Sequence, residues 1–166
     1  MTNTIDPIQI ATADLCDAHA DQLQIAQPLF HSYGGRRQFG GRIATVQVFK
    51  DNVLVRRQLE QTASEAVLVI DGGGSLECAL VGDILAGLAV ENGWTGIVVN
   101  GCIRDAAAIA GLKIGIRALN THPLKSGKRG TGQENLPVTF AGVTFRPGEY
   151  LYADDDGMVV SATPLI

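Results

Sequence analysis

The amino-acid sequence predicts a mixed α/β fold, with a parallel strand-helix-strand unit at its centre and antiparallel hairpins toward its C-terminus. Val67 to Asp71 and Thr95 to Asn100 are short β-branched apolar runs, each followed by glycine, and read as buried strands. Between them Leu85, Leu88 and Ala89 recur at helical spacing ahead of the stop signal Asn92-Gly93. A crossover of this length joins parallel strands, so the turns after both strands open at one sheet edge, where ligands bind in open α/β sheets. Downstream, Pro147-Gly148 and Asp156-Gly157 punctuate three further apolar runs as hairpin signals.

In chain order, Thr12 reads as the N-cap of a short helix running to about His19, and Gln24 to Phe30 reads as extended. Gly34-Gly35 and Gly40-Gly41 bracket the basic turn Arg36-Arg37, and a strand follows from Ile43 to Phe49. Asn52 to Gln61 is read as a surface helix. In the central unit the first strand stops at Gly72-Gly73-Gly74, Ser75 to Val81 forms a short turn, and the helix starts near Gly82. A helix begun at Leu76 would have to carry Gly82 inside it, at a cost of about 1 kcal/mol relative to alanine. After Asp105, Ala106 to Gly111 is a brief helix leading to a strand at Gly115 to Leu119. Pro123 to Pro137, with Lys125, Lys128 and Arg129, is read as a mobile loop. Val138 to Phe145, Tyr150 to Ala153 and Met158 to Ser161 are the three C-terminal strands.

At 166 residues and 46% hydrophobic content, the chain is long enough for a single domain, 1–166, with a substantial core. A net charge of −4 argues against direct nucleic-acid binding, which depends on Lys and Arg neutralising phosphates. Cys16, Cys78 and Cys102 lack zinc or redox spacing, so a reducing, cytoplasmic setting is expected. The first twenty residues show no basic start followed by an apolar stretch, and no apolar run of about 20 residues occurs, so no membrane segment is expected.

The chemistry concentrates at the central unit. A helix starting near Gly82 presents the free N–H groups of Gly82, Asp83, Ile84 and Leu85 and a partial positive charge, which suits a small carboxylate. Arg104-Asp105 follows the second strand. Asp105 can hold a hard divalent cation, and Arg104 can fork onto a carboxylate or a developing enolate oxygen. Taken singly, Asp83 reads as an N-cap and Arg104-Asp105 as a surface pair or the cap of the next helix. Taken together they fall at one sheet edge. Other features carry less: Gly72-Gly73-Gly74 has Glu77 where a dinucleotide fingerprint would place its last glycine, and Ser126-Gly127-Lys128-Arg129 lacks the Lys-Ser/Thr ending of a phosphate loop. His19, His31 and His122 show no ligand spacing, and Cys102 beside Ile103 reads as packing.

Twenty residues separate Asp83 from Arg104, and this Asp-x20-Arg-Asp pattern resembles that of the regulator of ribonuclease activity A (RraA) family, including its class II 4-hydroxy-4-methyl-2-oxoglutarate aldolases. Leu15-Cys16-Asp17, Pro28-Leu29-Phe30, Gly34-Gly35, Phe39-Gly40-Gly41, Asp71-Gly72-Gly73-Gly74-Ser75 and Tyr152-Ala153-Asp154 are similar to the family's signatures across nearly the whole chain. The resemblance implies a layered β/β/α swivelling-domain fold and a homotrimeric ring with sites near subunit interfaces. It also implies a substrate-carboxylate loop at Gly82, Asp83, Ile84 and Leu85, a substrate-binding and catalytic arginine at Arg104, and a Mg²⁺ or Mn²⁺ ligand at Asp105. Asp83 would orient a water that returns a proton. The implied activity is cleavage or decarboxylation of small 2-oxo acids through pyruvate enolate. Oxaloacetate decarboxylation is expected more readily than aldol cleavage, because family aldolases often carry a C-terminal extension that lends a carboxylate to a neighbouring subunit, whereas this sequence ends at Ile166. The implied alternative is a protein-binding regulator of an endoribonuclease, without catalysis.

Overall fold

A computed structural model describes residues 9–166. The expectation about a leader rests partly on residues 1–8, which lie outside the described residues. The elements run α1 (Thr12–His19), β1 (Leu23–Ile25), β2 (His31–Tyr33), β3 (Phe39–Gln47), α2 (Val53–Leu59), β4 (Ala66–Val81), α3 (Asp83–Glu91), β5 (Trp94–Ile103) and α4 (Ala106–Ile109). They continue as β6 (Gly115–Thr121), β7 (Gln133–Glu134), β8 (Val138–Phe140), β9 (Val143–Phe145), β10 (Tyr150–Ala153) and β11 (Met158–Ser161).

One mixed sheet takes the order β1-β11-β10-β3-β4-β5-β6-β2, with β7 added to the end of β3, and β8-β9 form a separate two-stranded sheet. Strands β3, β4, β5 and β6 are mutually parallel, as the crossover unit predicts. Side chains alternate across this sheet. Leu68, Ile70, Ile97 and Val99 pack with Leu54 and Leu59 of α2 and with Leu85, Ala86 and Ala89 of α3. Val67, Val69 and Val98 face the other way, onto Val138, Phe140, Val143 and Phe145 of the β8-β9 hairpin. The result is three layers, hairpin, sheet and helices, which is the β/β/α arrangement. Each fully buried aliphatic side chain in these cores contributes about 1.5–3 kcal/mol.

Several expectations are corrected. Strand β4 does not stop at Asp71: it stays paired through Val81, but residues 72–80 of β4 face only residues 101–102 of β5, so the chain makes a bulged excursion where a turn was expected. Gly40-Gly41 lie inside β3, next to β10, and not in a turn. Val138 to Phe145 is split by Ala141 and Gly142, both at positive φ (52° and 73°), into a tight hairpin. Pro147-Gly148 therefore joins two sheets, while Asp156-Gly157 does close the β10-β11 hairpin. Thr12 is the first residue of α1 and not its cap. Its N–H (2.8 Å) and hydroxyl (2.6 Å) both bind the Asp154 carboxylate. The extended reading of residues 24–30 holds only for β1, after which the chain passes to β2. No helix among the described residues is long and apolar enough to cross a membrane.

Candidate functional site

Helix α3 starts where the sequence places it: Gly82 is the N-cap, and the first intrahelical bond runs from the Ala86 N–H to the Gly82 carbonyl (3.0 Å). The N–H groups of Asp83, Ile84 and Leu85 therefore have no partner inside the helix. Leu85 buries its side chain in the core, while Ile84 stands 72% exposed at the helix start. The Arg104 N–H donates to the Val81 carbonyl at 2.9 Å, which closes the end of β5 against the chain entering Gly82.

Asp105 is exposed and sits in the left-handed region, with φ 57° and ψ 39°. A non-glycine residue held there costs about 1–3 kcal/mol, and Asp is among the residues that tolerate it best. It occupies the N-cap position of α4, but its side chain makes no capping hydrogen bond there. Its side chain turns instead to the neighbouring helix, where Oδ2 accepts the Asp83 N–H at 3.0 Å. That hydrogen bond chiefly holds the Asp105 carboxyl below its ordinary pKa. The slight loss of surrounding water opposes the shift, and the Asp83 side chain and the Arg104 charge reinforce it. Arg104 lies over Gly82, where a Cβ would come within 2.7 Å of Asp105 Oδ2 and 3.4 Å of Arg104 Nε. Glycine is required here for space, since its φ of −121° is open to any residue.

The structure thus brings Gly82, Asp83, Ile84, Leu85, Arg104 and Asp105 to one edge, with one correction. The Asp83 N–H is already engaged by Asp105, so the helix-start amides open to an incoming carboxylate are those of Ile84 and Leu85, with the Gly82 N–H, which likewise meets no acceptor among the described residues, beside them. Among the described residues Arg104 enters none of the ion pairs, which leaves its guanidinium for a ligand. No group of three or more His, Cys, Asp or Glu side chains suited to a metal occurs among the described residues. The donors at this edge are an ionised, oriented Asp105 with Asp83 beside it. That set fits a hard divalent ion that keeps most of its water, as Mg²⁺ does.

Two residues at this edge escape sequence reasoning. Asn52 donates from Nδ2 to the Leu80 carbonyl (3.1 Å), two residues before Gly82, and accepts the Lys128 ammonium on Oδ1 (3.2 Å). Residues 123–137, expected to be a mobile loop, are pinned instead: Lys125 bridges Ala79, Gly127 bridges Asp51, and β7 pairs with β3. Cys102 is buried, and burial pushes its thiol pKa up, as befits packing and not a nucleophile. His122 Nδ1 accepts the Leu124 N–H at 3.1 Å, a structural role.

Two cavities lie elsewhere. One of about 530 Å³ is bordered by Gln47, Phe49, Gly73 and Gln133. One of about 300 Å³ is bordered by Phe30, Arg37, Arg117 and Asp155. Neither includes Asp83, Arg104 or Asp105, and in the single chain Asp83, Ile84 and Asp105 are exposed.

A family model described as RraA-like, Aldolase/RraA, matches residues 12–160. A relative from Laribacter hongkongensis, provisionally named a 4-hydroxy-4-methyl-2-oxoglutarate aldolase, is 59% identical over 155 residues, covering 93% of this chain and 98% of the relative. The RNA-processing inhibitor RraA from Thermus thermophilis superposes with a TM-score of 0.92 at 42% identity, covering 96% of each chain. A Geobacillus kaustophilus structure named as an S-adenosylmethionine:2-dimethylmenaquinone methyltransferase also gives a TM-score of 0.92, at 51% identity, covering 94% of this chain and 97% of that one. Three different activities are thus named on one fold, so the site must carry the functional argument. The family model spans most of the sequence and the relatives share more than half of its residues, so the chain belongs to the RraA-like family.

Proposed function

We propose that this chain is a divalent-metal-dependent lyase that cleaves 4-hydroxy-4-methyl-2-oxoglutarate to pyruvate and decarboxylates oxaloacetate, both through pyruvate enolate. The observation that carries this reading is the contact of the Asp105 carboxylate with the Asp83 N–H, with Arg104 laid over Gly82. That contact and approach support a site in which a cation ligand, a guanidinium and two helix-start amides would face one small anion. The aldolase name of the Laribacter relative supports it.

In this reading the Ile84 and Leu85 N–H groups bind the C1 carboxylate of the 2-oxo acid. Arg104 forks onto the C2 oxygen and stabilises the negative charge that gathers there as the C3–C4 bond breaks. Asp105, held by the Asp83 N–H, is the ligand for Mg²⁺ or Mn²⁺, which when bound supplies a Lewis acid that polarises the 2-oxo carbonyl. Asp83 orients a water that returns a proton to C3 and completes pyruvate. In the decarboxylation the other product is CO₂. In the aldol cleavage the C4 hydroxyl gives its proton to that water as C4 becomes the carbonyl of a second pyruvate. Lys128, tethered by Asn52, adds positive charge at the same edge for a substrate with two carboxylates. The open surface position suits a homotrimeric ring in which a second copy covers the site. Three free cysteines suit the reducing cytoplasm.

Pyruvate release from both substrates, measured with Mg²⁺, Mn²⁺ or chelator, tests the reading. Arg104→Ala should lower turnover about 10²–10³-fold, and Asp105→Ala should abolish the metal dependence. Release no faster than with free metal ion overturns it. A second reading, favoured by the likeness to the Thermus RNA-processing inhibitor, is a protein-binding regulator of an endoribonuclease. Capture of that endoribonuclease by both wild type and Arg104→Ala would support it, and failure of both to bind would reject it.

A further inference from the structure

Between β3 and α2, Asp51 is 2% exposed and enters no ion pair among the described residues. A buried carboxylate without a cation is costly unless hydrogen bonds replace its water. Here backbone N–H groups do so. Oδ1 accepts the Val53 N–H at 3.1 Å, both oxygens accept the Gly130 N–H at 3.2 and 3.3 Å, and Oδ2 also accepts the Arg129 N–H. Two main-chain bonds reinforce the contact: the Gly127 N–H donates to the Lys50 carbonyl (2.8 Å) and the Asn52 N–H to the Gly127 carbonyl (3.3 Å). The chain is therefore fixed on both sides of Lys128, and Lys128 is the residue whose ammonium Asn52 holds beside the limb entering Gly82. An asparagine at position 51 has one acceptor oxygen where these donors use two.

We propose that Asp51 is a positioning residue for the lyase reaction: its carboxylate fixes residues 127–130 so that the Lys128 ammonium stands at the substrate-binding edge. This rests on the lyase reading above. Asp51 touches no substrate and acts through Lys128, so its effect must vanish where Lys128 is gone.

The test is a double-mutant cycle on Mg²⁺-dependent pyruvate release from oxaloacetate, with amide hydrogen exchange measured on the same proteins. Asp51→Asn and Lys128→Met should each lower kcat/KM about tenfold, mainly by raising KM, and the double variant should be no worse than Lys128→Met alone. Exchange at Arg129 and Gly130 should speed up in Asp51→Asn while that at Asp83 stays unchanged. Asp51→Glu, which keeps the charge but displaces the oxygens, should show the same pattern and serves if the asparagine variant does not fold. Additive losses, or wild-type exchange at Arg129 and Gly130, overturn the proposal. A wild-type chain without turnover overturns the lyase reading itself, and is distinguished by exchange data that need no turnover.

Discussion

Asp105 does two things that are rarely asked of one residue: it holds a left-handed backbone and sends its carboxylate away from the helix it precedes. The second follows from the Asp83 N–H, which fixes the carboxylate as an orienting partner fixes a metal ligand. Gly82 makes the arrangement possible by leaving space. Gly82→Ala would place a methyl 2.7 Å from Asp105 Oδ2 and force the carboxylate off its amide. Turnover should fall about 10²-fold with a weaker response to added Mg²⁺, and the melting temperature should change little; Mg²⁺ titration and a thermal melt check this. These residues were legible in the sequence because a strand-helix-strand crossover returns the chain to its own edge and because the Asp-x20-Arg-Asp spacing resembles the family pattern, although β4 proved longer than the pattern suggests. Asn52 and Lys128 were not, since they meet across 76 positions through a loop with no periodic signal.

At the scale of elements, the short helices and the parallel strands are where local pattern puts them, and the departures have local causes. Strand β4 outruns Gly72-Gly73-Gly74 because Asp71 accepts the Gly73 N–H (2.9 Å) and the Asn100 amide (3.0 Å), holding the excursion against β5. Helix α1 depends on a distant partner, Asp154. Burial pushes that carboxyl's pKa up, but bonds from the Thr12 hydroxyl and N–H and from the Asp156 and Gly157 N–H groups outweigh it and leave the pKa below its ordinary value. With the folded pKa depressed, this contribution to stability is present above the ordinary carboxylate range, near pH 4, and is lost as pH falls through the folded value. The Thr12 amide shift, followed from pH 6 to pH 2, should report detachment of α1 in acid. In Asp154→Asn that titration should be absent.

Across the whole molecule, the sheet path ends in β1 and β2, and Arg117 ties its distant parts together. From β6 its guanidinium donates to the Arg37 carbonyl (2.7 Å), the Asp154 carbonyl (3.0 Å) and the Ser32 hydroxyl (2.9 Å), while packing over the Phe39 ring at 5.1 Å. Strands β3, β4 and β5 stand between β6 and β10 in the sheet, so this one side chain spans what the backbone ladder does not. Arg117→Met should destabilise the fold by about 1–3 kcal/mol for each carbonyl left unpaired, read by urea unfolding, while the turnover of the folded fraction is retained. Nothing near Arg117 in the sequence announces this role, and only the family resemblance foretold the three layers.

The interval between Asp83 and Arg104 acts as a gauge length. Each residue added to or removed from α3 turns the helix by about 100° and shifts it by 1.5 Å, so the one amide that meets Asp105 would point elsewhere. Exchanges of residue type between Asp83 and Arg104 that keep the helix and strand are therefore compatible with this geometry, whereas a single insertion or deletion there would separate the helix-start amides from the Asp105 carboxylate.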